Sequence, residues 1–398
     1  MNRRDFIHWL TLAAAATAVP AGSAPAARMP VRGLGPKTSV ALAGVARQAT
    51  AAELLAAVRQ AAEAATDFSW LSRGDSVLVK PVVNSGNPYP ATTSTLGVQG
   101  VVALLKEKGA RRVIVSDMSG IEHVKLTPDE MRGSTRDLMK SCGVAQAAAA
   151  AGGELYLPEE EGWGAYFEDG PAAGAHWKSG ILMPRIVNDV DHVVLLPRCS
   201  RHVLLGASLG MKAAVGYWRT DTRLEYHRDA ATIQEKTAEA NTVASLREKQ
   251  RLTLTVADKV LTTFGPDKGH VYAPETGLVL ASESLIAHDM VSLAFLLEVR
   301  RSVPEELKKG LEDPYTSQFL VNMANKYVVG LLGGFGPALS SERLTRNDLE
   351  TIWEDRVLQR AFQLSGGVPE VDFVAANSGI SAALKKKLRD MTTPLVHV

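Results

Sequence analysis

The chain has 398 residues and a nearly balanced charge, with 44 lysines and arginines against 43 aspartates and glutamates. Hydrophobic residues make up 46% of it and charged residues 22%, as is typical of a globular protein with a large core. Because no basic stripe is present, we expect no nucleic-acid partner. Because no later segment has about 18 consecutive apolar residues, we expect no stable membrane anchor.

The first residues have the pattern of a twin-arginine export signal. Arg3 and Arg4 precede an uncharged run over residues 9–19, and residues 24–26 form a small-x-small cleavage site. An ordinary secretory signal that happens to contain two arginines is the alternative. The pattern predicts removal of residues 1–26, recognition by the twin-arginine translocation machinery, and a periplasmic or otherwise exported protein.

Strand and helix signals alternate along the chain. Short apolar or β-branched runs predict strands at 39–44, 76–79, 112–116, 155–157, 191–196, 252–257 and 277–281. Helical spacing predicts helices from Thr50, where Thr50 and Glu53 form a capping box, and over 98–109, 134–151, 206–216, 229–250 and 284–300. Residues 161–180 indicate a loop or a small insert.

This alternation predicts an α/β fold over residues 39–300, with a mainly parallel sheet and helices on both faces, doubly wound and Rossmann-like. Residues 301–398, with an apolar segment at 319–332, are expected to form a helical extension that packs on the same domain. The two cysteines, Cys142 and Cys199, cannot supply the four ligands of an iron–sulfur cluster or a zinc ribbon. We expect them to be buried free thiols, with pairing in an oxidising compartment as the alternative.

Polar residues follow four of the predicted strands. Lys80 and Asn84 follow one strand, Asp117 ends the next, Arg198 follows a third and Asp258 ends a fourth. Open parallel sheets bind ligands beyond the carboxyl ends of their strands. Each residue alone is better explained as a cap or turn residue, but their coincidence on four strands indicates a shared site.

The segment from residue 197 to 227 has the densest polar content. His202 and Lys212 flank a glycine-rich turn, and Arg223 and His227 are four residues apart, so on a helix they share one face. His202, His227 and an aspartate would form a nitrogen and oxygen ligand set for a divalent metal. The same groups could also act without a metal, with a histidine as the base and a lysine as an anion clamp.

A turn over residues 264–270 is fixed by Gly265 and Pro266 and ends at His270. It predicts a loop that closes over the site, with a surface turn as the alternative. The chain contains no GxxxxGK[ST] phosphate loop, no GxGxxG after a strand and no HExxH helix. These absences argue against a nucleotide-driven motor, a standard dinucleotide site and a zincin, and we also expect no α/β-hydrolase nucleophile elbow.

The ordered motifs resemble the family called domain of unknown function 362. VLVKPVVN and VVALLKEKGARRVIVSDMSG are similar to its opening block, LPRCSRH and GASLGMKAAVG to its middle block, and LTVADKV, FGPDKG, TGLVLAS and IAHD to its closing block. The resemblance covers about residues 77–297. It implies functional polar or loop positions at Lys80, Asn84, Asp117, His202, Lys212, His227, Asp258, Gly265, Pro266, Gly269 and Asp289.

The sequence departs from that family in two places. Val83 stands where the motif more often tightens to Lys-Pro-Asn, which shifts Asn84. The cysteine-rich ferredoxin-like segment of some relatives is missing, so a cluster-based redox role does not transfer. The alternation and the polar strand ends are also similar, at the level of fold alone, to the nickel-dependent lactate racemase family.

Together these patterns predict an exported, metal-dependent enzyme that acts on a small anionic substrate. The predicted catalytic residues are Lys80, Asp117, Lys212 and Asp258. The predicted ligands of a divalent metal are His202 and His227. The predicted substrate-binding residues are Asn84, Arg198, Arg223 and His270. A non-catalytic periplasmic protein that binds or matures a ligand or a metal is the alternative.

Overall fold

The computed structural model describes residues 34–347 and 349–394, so the predicted export signal lies outside the described residues. The strands, in chain order, are β1 (Leu34–Ala46), β2 (Ser76–Pro81), β3 (Arg112–Val115), β4 (Lys125–Leu126), β5 (Met131–Arg132), β6 (Glu154–Leu155), β7 (Tyr166–Asp169), β8 (Ile181–Pro184), β9 (His192–Leu196), β10 (Ser200–His202), β11 (Gly206–Ser208), β12 (Gln250–Ala257), β13 (Val260–Leu261), β14 (Val271–Tyr272), β15 (Thr276–Ser282) and β16 (Val368–Ala375).

The helices, in chain order, are α1 (Ala51–Ala65), α2 (Thr95–Glu107), α3 (Thr135–Ser141), α4 (Val144–Ala150), α5 (Ile186–Asp189), α6 (Gly210–Ala213), α7 (Thr220–Arg228), α8 (Ile233–Glu239), α9 (Ala244–Arg247), α10 (Leu285–Arg300), α11 (Gln318–Gly333), α12 (Phe335–Ser340), α13 (Arg356–Leu364) and α14 (Ala382–Thr392). Short 3₁₀ turns lie between several of them. Within the described ranges, none of these helices combines the length and the apolar character that crossing a bilayer requires.

Eight strands form the central sheet in the order β16-β1-β15-β12-β9-β2-β3-β6. Strands β12, β9, β2, β3 and β6 pair in parallel, as do β1 and β16. Strand β15 runs antiparallel between β1 and β12. All strands of this sheet except β15 therefore run in one direction, which confirms the predicted mainly parallel sheet.

Helices cover both faces of this sheet. Val77 and Val79 of β2 point to one face, where α1, α2 and α4 pack on them. Leu78, between them, points to the other face and joins the cluster around Trp218, while α10, α13 and α14 cover Leu280 of β15 and its neighbours. Because successive side chains of a strand alternate between faces, a sheet covered on both sides needs continuous apolar runs of this kind. The doubly wound α/β prediction is confirmed.

Local signals predicted helix starts better than helix lengths. The capping box is formed, since Thr50 Oγ1 accepts from the Glu53 amide and the Glu53 carboxylate accepts from the Thr50 amide. The helix predicted over 134–151 is broken at Gly143, which has a φ of 85°. Cys142, next to that break, and Cys199 are buried free thiols, as expected.

Two predicted helices were wrong. Residues 206–216 form β11, the short α6 and a 3₁₀ turn rather than one helix. Residues 229–250 form 3₁₀ turns, α8 and α9, and end in β12. In the second case Asn241 Nδ2 donates to the Thr237 carbonyl and Thr242 Oγ1 donates to the Glu239 carbonyl, so side chains compete with the helical ladder for backbone groups.

The C-terminal part is not wholly helical, contrary to expectation. Its strand β16 pairs in parallel with β1 from Leu34 to Leu42, with one register shift. Without β16, strand β1 would expose its unpaired backbone groups at the edge of the sheet. The apolar segment at 319–332 does form a helix, α11, which lines the same cavity as residues at the carboxyl ends of the strands.

Candidate functional site

The carboxyl ends of β2, β3 and β9 open into a cavity of about 160 Å³. The residues predicted for the site that line this cavity are Lys80, Asn84, Asp117, Arg198, His202, Lys212, Arg223 and His227. Helix α11 supplies an apolar wall with Ala324, Val328 and Leu332. The structure therefore brings together residues of separate strand ends and of the segment after β9, as the sheet-edge argument required.

Asp258 and His270 do not line this cavity. Asp258 directly follows β12, but its carboxylate accepts a hydrogen bond from the Tyr89 hydroxyl at 2.7 Å, so it holds the loop before α2. His270 is a turn residue whose backbone amide donates to Thr263 Oγ1. Strand β9 separates β12 from β2, which places the end of β12 to one side of the cavity. Their predicted roles in the site are corrected accordingly.

Lys80 and Asp117 form a buried ion pair at the floor of the cavity. Lys80 Nζ lies 2.8 Å from Asp117 Oδ1 and donates to the carbonyls of Pro81 and Ala213, each at 2.9 Å. The other Asp117 oxygen accepts from the Val83 amide at 2.6 Å. Burial lowers the pKa of Lys80, and the charge of Asp117 opposes that shift. Each member of the pair has its charge matched by the other.

Arg198 and Arg223 bring positive charge to the cavity without a matching carboxylate. The Arg223 guanidinium donates to the carbonyls of Trp218, Ser119 and Met118 at 2.6–2.9 Å. Arg198 donates to Ser208 Oγ and to the carbonyls of Pro266 and Ala91. Burial lowers the pKa of both, in Arg198 to about 10. These acceptors are neutral, so neither guanidinium has a direct ion pair among the described residues, although Asp117 attracts both from a greater distance.

Lys212 differs from the other cations of the cavity. Its side chain reaches the cavity surface from α6, and no described residue accepts a hydrogen bond from its Nζ. Desolvation, followed by the charges of Arg198, Arg223 and Lys80, lowers its pKa to about 7, and Asp117 opposes the shift. Close to neutral pH, a large fraction of Lys212 is therefore an uncharged amine.

His227 presents a lone pair to the cavity. Its Nδ1 lies 2.9 Å from Asn325 Oδ1, while Asn325 Nδ2 donates to the His227 carbonyl at 2.8 Å. Since the amide oxygen faces the ring, Nδ1 carries the hydrogen and Nε2 keeps its lone pair. Burial lowers the pKa of His227 to about 3, with Lys212 and Arg223 contributing and the Asn325 hydrogen bond opposing. The ring is neutral at ordinary pH and can act as a base or a metal ligand.

His202 has the opposite tautomer. Its Nδ1 accepts a hydrogen bond from the Leu204 amide at 3.2 Å, so Nε2 carries the hydrogen. Burial, with the charge of Lys212 adding to it, keeps the pKa of His202 well below its usual value. A ring of this kind donates a hydrogen bond and has no lone pair for a metal. The prediction that His202 is a metal ligand therefore does not fit its hydrogen bonding, whereas His227 has a suitable tautomer.

A different set of potential metal ligands lies at the rim of the same cavity. Glu122, His123 and Asp267 each offer one ligand atom, and these atoms lie within 4.8 Å of one another. Asn84 Nδ2 donates a hydrogen bond to Asp267 Oδ1. Asp267 belongs to the 264–270 turn, which therefore does reach the cavity. Sequence analysis missed Glu122 and His123 because no ligand spacing connects them to residue 267.

The letters Gly206-Ala207-Ser208-Leu209-Gly210 match a G-x-S-x-G nucleophile motif, which the expectation of no elbow overlooked. The conformation does not support that chemistry. Ser208 is buried at the end of β11, and its Oγ accepts from Arg198 Nε at 3.3 Å. An elbow serine sits on a strained turn, whereas the described non-glycine residues with positive φ are Phe68 and Phe264.

Comparison with known proteins identifies the family. The profile of the family described as Domain of unknown function (DUF362) matches residues 77–294, and no curated protein matches the chain. Similar solved structures include a crystal structure of a protein from Thermotoga maritima, with 13% identity, 53% of this chain and 51% of that chain covered, and a TM-score of 0.32. They also include the lactate racemase apoprotein from Thermoanaerobacterium thermosaccharolyticum, with 13% identity, 70% and 60% covered, and a TM-score of 0.40.

The chain thus spans between half and two thirds of the length of these two solved chains. At this level of similarity, neither comparison bears on the chemistry of the cavity. The family profile covers more than half of the chain, from the strand that carries Lys80 to the helix that carries Asp289. The protein is therefore a member of the DUF362 family.

Proposed function

We propose that this protein is an enzyme that binds a small organic anion in the cavity and moves a proton on it. The observation that carries this proposal is a pair of buried guanidinium groups at the cavity that form no ion pair with a described carboxylate. Arg198 and Arg223 lie at a floor whose carboxylate, Asp117, is already paired with Lys80. A buried cation without an ion-pair partner is costly, so a bound anion would offset part of that cost.

The residues around the floor have complementary chemical roles. Arg198 binds the anionic group, the Lys212 amine donates a hydrogen bond to the ligand, and the Nε2 lone pair of His227 accepts a proton from the atom next to the anionic group. His202 donates its Nε2 hydrogen to the oxygen on which negative charge develops. The apolar wall of α11, with Val328, excludes water from this exchange.

Anion binding also strengthens the base. Lys212 and Arg223 are among the causes that lower the pKa of His227. A bound anion opposes the field of these two cations, so the pKa of His227 rises when the cavity is occupied. The protein would therefore have its strongest base when its substrate is present.

A divalent metal is the proposed cofactor, with Glu122, His123 and Asp267 as its ligands. One imidazole nitrogen and two carboxylate oxygens form a ligand set that suits zinc, manganese or iron better than it suits magnesium, which prefers oxygen ligands. Their mutual separation of at most 4.8 Å fits atoms that surround one ion at about 2.0–2.4 Å. When bound, such an ion would polarise an oxygen of the substrate at the rim of the cavity.

Binding and turnover separate the enzyme from a non-catalytic binding protein. Calorimetry with a panel of small carboxylates and phosphates should find ligands for the purified full chain. Lys212→Met should weaken their binding at least tenfold, while the exposed Lys140→Met should not change it. If no anion binds, or if Lys212→Met has no effect, the proposed site is wrong.

For an anion that binds, exchange of its carbon-bound hydrogen in D₂O, followed by NMR, tests the base. His227→Asn retains a donor that can reach Asn325 but lacks the Nε2 lone pair, so it should bind the anion and lose exchange. Binding without exchange in the wild type would favour the alternative, a protein that holds a ligand for a partner.

Export by the twin-arginine route is proposed on the pattern around Arg3 and Arg4. Because the transporter reads the pair, replacing both residues with lysine should leave the precursor in the cytoplasm. Cell fractionation measures this outcome, with Lys37→Arg as a matched charge-conserving control outside the signal. Normal export of the double variant would contradict the twin-arginine route.

A further inference from the structure

The backbone around Lys212 is held firmly at the start of α6. The Gly210 and Met211 amides donate to the two carboxylate oxygens of Asp289, at 2.8 and 2.7 Å. On the other side, Asn241 Nδ2 donates to the Met211 carbonyl at 3.1 Å. The side chain of Lys212 therefore projects into the cavity from a fixed point, which is a requirement for precise chemistry.

The two buried lysines of the described chain, Lys80 and Lys236, have acceptors for their ammonium groups, whereas the partly buried Lys212 does not. Lys80 has Asp117 and two carbonyls, and Lys236 has the Asp229 carbonyl at 3.4 Å with two carboxylates at 3.9 Å. A protonated lysine has three donors to satisfy and no lone pair. An unpartnered lysine in a desolvated cavity is instead best accommodated as the neutral amine.

The surrounding charges act in the same direction. Arg198, Arg223 and Lys80 lie close enough to Lys212 to disfavour its protonated form, and the nearby carboxylate, Asp117, is already paired. Together with burial, they lower the pKa of Lys212 to about 7. A lysine made neutral by desolvation and by neighbouring cations is the form that attacks carbonyl carbons.

We propose that Lys212 is a nucleophile that forms an iminium ion with the carbonyl carbon of a small 2-oxo acid. This inference rests on the proposed anion site and names its substrate class. The carboxylate of such an acid would meet the positive charge of Arg198, while its adjacent carbonyl would lie beside Lys212. A cavity of about 160 Å³ is smaller than the roughly 300–1,000 Å³ of sites for drug-sized ligands, so it suits a short-chain acid.

The step balances without an oxidant or a reductant. The Nζ lone pair forms a bond to the carbonyl carbon, and a proton passes from nitrogen to oxygen to give a neutral carbinolamine. One proton from solvent then lets the hydroxyl leave as water, and the nitrogen lone pair closes the C=N⁺ bond. His202 Nε2 donates a hydrogen bond to the oxygen throughout, and His227 Nε2 can take a proton from the neighbouring carbon to give an enamine.

Reductive trapping tests this inference on the full chain. The protein is incubated with pyruvate and sodium cyanoborohydride, and the intact mass is measured before and after peptide mapping. We expect one stable adduct per chain, located on Lys212, and a yield that rises as pH increases through about 7. Lys212→Arg, which keeps a long basic side chain but has no nucleophilic amine, should lose the adduct, and the exposed Lys140→Arg should retain it.

Each outcome separates the covalent role from the anion site. Pyruvate that binds in calorimetry but gives no adduct would overturn the iminium inference and leave the proposed anion site intact. An adduct located on another lysine, or one retained in Lys212→Arg, would also overturn it. Failure of every 2-oxo acid and every other anion to bind would overturn both. Mapping the wild-type adduct assigns the residue even if Lys212→Arg folds poorly.

Discussion

The two lysines of the cavity, Lys80 and Lys212, differ in their partners: one region of the molecule pairs its lysine with a carboxylate, and the other does not. Lys80 ends a central strand and has a carboxylate and two carbonyls around its ammonium. Lys212 lies in the short helix α6, which follows the β10–β11 pair, and no described residue accepts a hydrogen bond from its Nζ. The strand end thus provides a charge-matched frame, whereas the segment from 202 to 228 supplies Lys212, which has no partner in the described ranges, and two neutral histidines, His202 and His227. We infer that the frame maintains the cavity and that the segment carries its chemistry.

The largest effect on the free energy of unfolding should come from removing the Lys80–Asp117 ion pair. Lys80→Met leaves Asp117 as a buried carboxylate without a cation and should lower the free energy of unfolding by about 3–5 kcal/mol. Lys212→Met removes an amine that has no hydrogen-bond partner among the described residues, so it should leave stability unchanged or raise it. Urea denaturation of both variants measures the contrast. Equal losses in the two variants would show that the regions do not differ in this way.

A smaller loss of stability should follow from placing a methyl group against the Lys80–Asp117 ion pair. Gly216 faces it so closely that a Cβ at this position would overlap Asp117 Oδ1 and Lys80 Nζ. Gly216→Ala should therefore force the pair apart and lower the free energy of unfolding by about 1–3 kcal/mol. Gly336→Ala is the matched control, since a Cβ there meets no atom within 4 Å. Unfolding curves for Gly216→Ala that match the control would contradict this account of the floor.

The histidine of the second region should make stability depend on pH. The pKa of His227 is lowered to about 3 in the folded chain, against about 6.5 in an unfolded one. Between these values the unfolded state binds more protons, so this contribution to stability is present above pH 6.5 and is lost as pH falls. At pH 5.5, one unit below the unfolded value, the loss is about 1.4 kcal/mol.

His227→Asn has no such proton to bind, so its free energy of unfolding should fall less between pH 7.5 and 5.5 than that of the wild type. Urea denaturation of both proteins at both pH values measures this difference. The two proteins have the same carboxylates, so the contributions of these groups cancel in the comparison. The same slope in both proteins would mean that His227 titrates normally and is not buried as a neutral ring.

The sequence predicted the frame more completely than the second region. Lys80, Asp117 and Arg198 each follow an apolar run, and parallel strands bring such positions to one edge, so their proximity could be inferred without coordinates. Asp258 obeyed the same rule yet lies outside the cavity, because the order of strands in the sheet is not encoded in their periodicity. The rule predicts the edge on which a residue lies but not its distance from the centre of that edge.

The chemistry of the second region depended on contacts that no local pattern contains. The tautomer of His227 is set by Asn325, which lies 98 residues away on α11, and that of His202 by a backbone amide. Helical spacing predicted that Arg223 and His227 share a face, but it could not show that Arg223 bonds to the carbonyls that follow Asp117. Long-range hydrogen bonds therefore decide which of the predicted polar residues can act.

The smallest effect on stability concerns metal binding. It tests whether the ligands are the rim residues Glu122, His123 and Asp267 or the histidines His202 and His227. At three times its Kd, a divalent ion held by the rim ligands should raise the free energy of unfolding by about 0.8 kcal/mol. Titration of the full chain with zinc or manganese, followed by calorimetry, should give one site that His123→Ala and Asp267→Asn both remove. His270→Ala, a histidine of the same turn that lies outside the cavity, is the control and should retain it.

His202→Ala distinguishes the two sets of ligands. If the ion binds at the rim, this variant retains the site, because the Nε2 of His202 carries a hydrogen and offers no lone pair. If His202 and His227 were the ligands, His202→Ala would lose the ion and His123→Ala would keep it. The rim residues are partly exposed, so their substitution should leave the unfolding curve of the metal-free protein nearly unchanged, and a lost site would report lost ligands rather than a lost fold.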